Sequence, residues 1–300
     1  MVLRTVNMAG TRAATNVFAH CRNVVRQSSR EHYLTTMLLP RTAENAVFAV
    51  RAFNAQISRV RDEAREPGAV KMRFLFWNDV VNGLKGQTTN PTSALVAHPV
   101  AKALDITATQ HNLTVSFLKQ LVRAREAHSD DSPFQTMKDA ENYAEHTCSS
   151  LYYLTLECMG IRDQHADHVA SHIGRAEGLV TLLRGLPHMA SQGKLRLPLD
   201  VCAKHGVVQQ DVLRGNITPA VQDAVHAIAS EAVLHLNTAR SMMDQIPQHA
   251  RTCFLPSVCL NLYLNQLLAV DFDPMHPTLL KPQGLLPLRL LWARFRNSYP

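Results

Sequence analysis

No stretch of roughly 18 or more apolar residues occurs in the 300-residue chain, so nothing in it reads as a membrane-spanning helix. None of the six cysteines (Cys21, Cys148, Cys158, Cys202, Cys253, Cys259) forms a CxxC pair. That excludes the usual zinc and disulfide frameworks and suggests buried, reduced thiols in a reducing compartment. There is no glycine-rich phosphate loop, no Gly-x-Ser-x-Gly elbow and no Ser-His-Asp pattern. The net charge of +7 and the pI near 9.3 favour anionic surfaces. The basic residues are scattered, however, and the block expected of a nucleic-acid arm is missing. Two local absences are more pointed: no acidic residue precedes Glu31, and none lies between Gly178 and Leu199.

What is present reads as helix. Hydrophobic residues make up 46% of the chain, enough for a sizeable core. Thr42 is a plausible cap for a helix whose Ala46, Val50, Phe53 and Ile57 recur at helical spacing, with Pro67-Gly68 as its end. A second helix follows at "MRFLFWNDVVNGL". "SPFQ" at 132–135 has the form of a helix start, and the helix it opens runs through "ENYAEHTCSSLYYLTLECMG" to Gly160. Thr218-Pro219 opens another, with Val221, Val225, Ile228, Ala232 and Leu236 on one stripe. "PSVCLNLYLNQLLAV" makes one more. With no alternating strands and no fixed-period repeat, the expectation is an all-α domain of long helices, spanning residues 21–300. Residues 1–20 carry arginines and no acid, the composition of a mitochondrial transit peptide and equally of a basic first helix.

Three segments carry candidate chemistry. His165, His168 and His172 in "HADHVASH" share a helical face, and the last two have the spacing of a two-histidine metal site. A polar outer face explains them as simply, and no metal is expected. Asp62 and Glu66, one helical turn apart, suit Mg²⁺ if they face a cavity, but they lie among Arg59, Arg61 and Arg65, as in a solvated helix end. The C-terminal "LLPLRLLWARFRNSYP" interleaves Trp292 and Phe295 with Arg289, Arg294 and Arg296. That suits either a helix on an anionic membrane or a docked helix with snorkelling arginines.

The order of segments resembles the squalene/phytoene synthase family from about Cys21 to the C-terminal helix. "SSREHYLTTMLLP", "AVFAVRAFNAQISRVRD", "ENYAEHTCSSLYYLTLECMG" and "HIGRAEGLVTLLRGLPHMASQGKLRLP" carry the resemblance. It implies an isoprenoid-synthase-like bundle of long helices around a central cavity. It also implies two aspartate-rich motifs that hold Mg²⁺ and a prenyl diphosphate, because Mg²⁺ needs hard oxygen ligands. At the first motif the family's adjacent aspartates fall on Ser58 and Arg59, and only the third, Asp62, is matched. At the second, Arg184 matches the family's arginine, Gly185 and Met189 take the two aspartate places, and Gly193, Lys194, Leu197 and Pro198 keep the exit. Arg59 is worse than neutral: unit charges about 4 Å apart repel by about 4 kcal/mol at an effective dielectric of 20, and Mg²⁺ doubles that.

Within the family, "ENYAEHTCSSLYYLTLE", "HADHVASHIG", "LHL", "VDFDPMHP" and "LLPL" resemble a branch of mitochondrial assembly factors for respiratory complex I. This implies a non-enzyme without a cofactor. Its partners would be complex I subunits or other assembly factors, and it would sit peripherally on the matrix side of the inner membrane, with no role for nucleic acid. Two other readings remain: a residual isoprenoid transferase using Asp62, Glu66 and unaligned acids, and a prenyl- or lipid-binding carrier.

Overall fold

A computed structural model describes residues 16–64, 66–86, 97–130 and 132–297. All of their regular structure is helical, with no strand among the described residues. The all-α expectation therefore holds. Most of the candidate transit segment, residues 1–15, lies outside the described residues, and residues 16–28 form helix α1. Cys21 on α1 is fully buried, and burial pushes its thiol pKa up to about 12, which makes it inert. The six cysteines are thiols and form no disulfide with one another.

The chain packs as two compact units. The first runs to Glu126 and also takes in Tyr153–Arg162. In it α2 (Arg30–Met37), capped by the Ser29 side chain, leads to α3 (Arg41–Ser58). Ala46, Val50, Phe53 and Ile57 are buried as their spacing requires. The start of α3 differs from expectation: Pro40, not Thr42, is its N-cap, and no side chain caps it. The end differs as well. Helix α3 stops at Ser58, the short α4 (Val60–Glu63) follows, and Pro67 opens α5 (Pro67–Asn82) rather than closing the run. Proline lacks an N–H and constrains the residue before it, so it breaks a helix upstream but is well placed in a first turn. The unit continues with α6 (Pro99–Gln110), which packs on α3, and α7 (Val115–Ala127).

The second unit comprises Ala127–Tyr152 and Asp163 onward. Helix α8 (Met137–Ala144) starts later than "SPFQ" suggested. Thr136 and Asp139 form a reciprocal capping box, while the Ser132 hydroxyl is engaged by Asp130. One π-helical turn, Glu145–Ser149, separates α8 from α9 (Ser150–Cys158), and the run ends before Gly160, where φ is +73°. Helix α10 (Gln164–Ser191) is the longest; α11 (Leu199–His205) and α12 (Gln209–Leu213) follow. Then come α13 (Pro219–Met242), α14 (Pro256–Leu268) and α15 (Leu286–Arg296). Helices α10 and α13 pack along each other, and α8 with its π turn lies against α10. The stripe Val221, Val225, Ile228, Ala232 and Leu236 is buried throughout. Close approach to α10 depends on two glycines. A Cβ on Gly174 would lie 2.4 Å from the Ser149 Cα, and one on Gly178 would lie 2.2 Å from the Ala144 Cβ.

Candidate functional site

The first motif lies where α3 breaks into α4. Ser58 turns its hydroxyl back onto its own helix, donating to the Ala55 carbonyl at 3.0 Å. Arg59 occupies the junction, its backbone at φ −89° and ψ −5°. Asp62 is exposed to solvent. Glu66 is not one helical turn further on: Ala64 is extended, and Glu66 is the N-cap residue of α5. The Asp62/Glu66 pairing that a continuous helix would give is therefore absent, and the cause is again Pro67.

The second motif lies near the C-terminal end of α10. Arg184 donates to the Cys259 carbonyl at 3.2 Å, and its guanidinium stands 4.6 Å over the ring of Tyr263, so both contacts fall on α14. Burial raises the Tyr263 hydroxyl pKa to about 12, against the opposing influence of Arg184. Gly185 borders open space, with nothing within 4 Å of where a Cβ would stand. Met189 supplies a thioether and half-buried apolar surface. The helix tolerates Pro187 and closes after Ser191. There Gly193 at φ +73° lets the Gly193 and Lys194 N–H groups reach the carbonyls of Ala190 and Met189. In the exit segment Leu195, Leu197 and Pro198 are buried. Arg196, only 8% exposed, stacks over Phe134 and Tyr143 at 5.3 and 5.9 Å. Two cations of the acid-free stretch, Arg184 and Arg196, thus sit over aromatic rings.

At the positions singled out in the sequence, the first group thus holds one carboxylate, that of the exposed Asp62, and the second an arginine, a glycine and a thioether.

The C-terminal helix α15 has two faces. Leu286, Leu290 and Ala293 are buried. Leu285, Leu288, Leu291, Trp292 and Phe295 are exposed, Phe295 at 83%, and Arg289, Arg294 and Arg296 are exposed too. Trp292 and Phe295 stack at 6.2 Å, and Arg296 lies 5.2 Å over Trp292. One face of α15 is thus docked on the fold, and the aromatic and arginine side chains lie on the other, exposed face. Among the described residues no helix is long and apolar enough to cross a membrane.

One cluster has no forerunner in the sequence patterns. His165 and His168 are exposed, but His172 points into the second unit, its Nδ1 2.9 Å from the Nδ1 of His235 on α13. His235 in turn faces Glu141 on α8 and Glu231 on α13. Burial, then the neighbouring His235 and Arg175, hold His172 below the usual histidine pKa. Burial alone would raise the Glu141 pKa, but Lys138 and His235 outweigh it and hold the carboxyl below its ordinary value. Partners so far apart in the chain leave no local spacing to detect.

The helical architecture matches that of solved prenyl synthases. A dehydrosqualene synthase determined in complex with ligand superposes with a TM-score of 0.80 over 96% of this chain and 99% of that one, at 17% identity. The sequence profile of the squalene/phytoene synthase family matches residues 25–295, and the chain belongs to that family. Within it, the chain is 42% identical over 296 residues to the Homo sapiens protein named NADH dehydrogenase (ubiquinone) complex I, assembly factor 6, covering 99% of this chain and 87% of that protein. The Drosophila melanogaster homolog of that factor is 37% identical over 282 residues, 93% of this chain and 84% of that protein.

Proposed function

We propose that this chain is a non-catalytic assembly factor for mitochondrial respiratory complex I, built on a synthase fold that has lost its metal ligands. The observation that carries this reading is the donor set. At the positions where the family resemblance expects five carboxylates, Ser58, Arg59, Gly185 and Met189 stand instead, and the remaining Asp62 faces solvent. Binding and ionising a diphosphate requires several preorganised charges around the leaving oxygens. One carboxylate beside Arg59 does not supply them. The resemblance to relatives named as complex I assembly factors supplies the positive half of the reading. It implies a mitochondrial location and complex I subunits or other assembly factors as partners.

The same proposal places the protein peripherally on the matrix face of the inner membrane, with the exposed side of α15 as the contact. That side combines an apolar stripe with three arginines and no acid, which matches an anionic lipid surface.

The test of the catalytic half is direct. Purified protein is incubated with Mg²⁺ and labelled farnesyl or geranylgeranyl diphosphate, with an active family synthase in parallel. The expected result is no condensed product and no released diphosphate above the protein-free control. Turnover that depends on Asp62 would overturn the non-catalytic reading.

A further inference from the structure

Glu141, Glu231 and His235 converge inside the second unit. Each offers one ligand atom, and these atoms lie within 4.8 Å of one another. His235 Nε2 is 3.4 Å from a Glu141 oxygen and 3.9 Å from a Glu231 oxygen. A tetrahedral ion with ligands at about 2.1 Å holds its donors roughly 3.4 Å apart, so one ion fits between these three with small side-chain adjustments. The cluster is unrelated to the second motif. His172 precedes Arg184 on α10 by more than three turns, about 18 Å along the axis.

Three features separate this arrangement from an ordinary buried ion pair. The first is burial: His235 and Glu141 are each only 7% exposed, so their charges are not simply solvated. The second is the proton shared by the two imidazoles, whose Nδ1 atoms are 2.9 Å apart. If His235 donates it to His172, its Nε2 faces two carboxylates, either as the second N–H of an imidazolium or as a bare lone pair. The bare lone pair is unfavourable for the protein alone and is what a metal requires, and a metal would replace the imidazolium proton in the same place. If His172 donates it, His235 carries its hydrogen on Nε2 but reaches Glu141 only at 3.4 Å, longer than the usual range of about 2.7–3.2 Å. The third is access: the Glu231 side chain is 34% exposed and lies one turn before His235, leaving a solvent side for entry and a water ligand. Lys138 occupies the other oxygen of Glu141, Oε2, at 3.0 Å and leaves Oε1 available.

We propose that Glu141, Glu231 and His235 bind one divalent first-row transition cation, with His172 orienting His235 through its Nδ1. A single nitrogen with two carboxylates suits Zn²⁺. The ion clips α8 to α13 in a part of the fold that the degenerate motifs do not occupy.

Chelator-stripped full-length protein is titrated with Zn²⁺ against a competing chromophoric chelator, alongside Glu231→Gln, His172→Asn and His235→Gln. The wild type should take up one Zn²⁺ per chain and melt at a higher temperature when loaded. Glu231→Gln should bind at least tenfold more weakly while its stripped form melts like the wild type. His172→Asn should weaken binding roughly 10–100-fold, as loss of an orienting partner does. Stoichiometric binding that Glu231→Gln leaves unchanged would place the ion on surface histidines and overturn the site, as would the absence of saturable binding by the wild type. If His235→Gln does not fold, the half-exposed Glu231 still decides the matter.

Discussion

Gly174→Ala and Gly178→Ala should each destabilise the protein by about 3 kcal/mol or more, while Gly185→Ala on the same helix should stabilise it by about 0.5–1 kcal/mol. The opposite signs follow from what a new methyl group would meet. At Gly174 it would lie 2.4 Å from the Ser149 Cα and 2.5 Å from its backbone nitrogen. At Gly178 it would lie 2.2 Å from the Ala144 Cβ and 3.0 Å from the Ala144 Cα. These neighbours are backbone, or a Cβ with no rotamer to escape into, so α8 and its π turn would have to move away from α10. Overpacking costs about 1–3 kcal/mol where side chains can adjust, and backbone contacts belong at or above the top of that range. At Gly185 nothing lies within 4 Å, so alanine only removes the entropic cost of a glycine inside a helix. Urea unfolding of the three variants measures this. Equal effects at 178 and 185 would contradict the close approach of α8 to α10.

Changing Arg289, Arg294 and Arg296 together to Glu should release the protein from anionic vesicles without unfolding it. Each arginine near such a surface contributes about 1 kcal/mol, and each glutamate adds repulsion of similar size, so the triple reversal amounts to roughly 6 kcal/mol before screening by salt. The fold should tolerate it because the arginines are exposed, whereas Leu286, Leu290 and Ala293 make the buried contacts of α15. Flotation with phosphatidylcholine–cardiolipin vesicles reads the binding. Tryptophan emission reads the depth: Trp77 is only 4% exposed, so a blue shift on binding reports Trp292. Retention of a folded triple variant on the vesicles would assign attachment to another surface.

The helices were legible because their signals are local. Apolar residues at 46, 50, 53 and 57, and at 221, 225, 228, 232 and 236, declare a buried face through spacing alone. Boundaries were less legible. Pro67 and Pro133 each admit more than one role, and the choice depends on contacts that a linear pattern does not contain. Pro67 starts a helix that its sequence neighbourhood also allowed it to end. The helix expected at Ser132 begins instead at the Thr136–Asp139 box. The residue types of the two motifs were plain in the sequence, but the tethering of Arg184 to Cys259 and Tyr263 was not, since those partners lie on another helix. The Glu141–Glu231–His235 cluster was hidden for the same reason.

The most direct test of the central claim measures complex I in mitochondria that lack this protein, by native gel and NADH:ubiquinone activity, before and after re-expression. The account predicts that complex I falls on deletion and returns equally with the wild type and with Asp62→Ala at matched protein abundance. Asp62 is exposed, so its loss should not disturb the fold. Normal complex I in the absence of the protein would contradict the assembly role. Failure of an abundant Asp62→Ala protein to restore complex I would show that the Asp62 segment still acts.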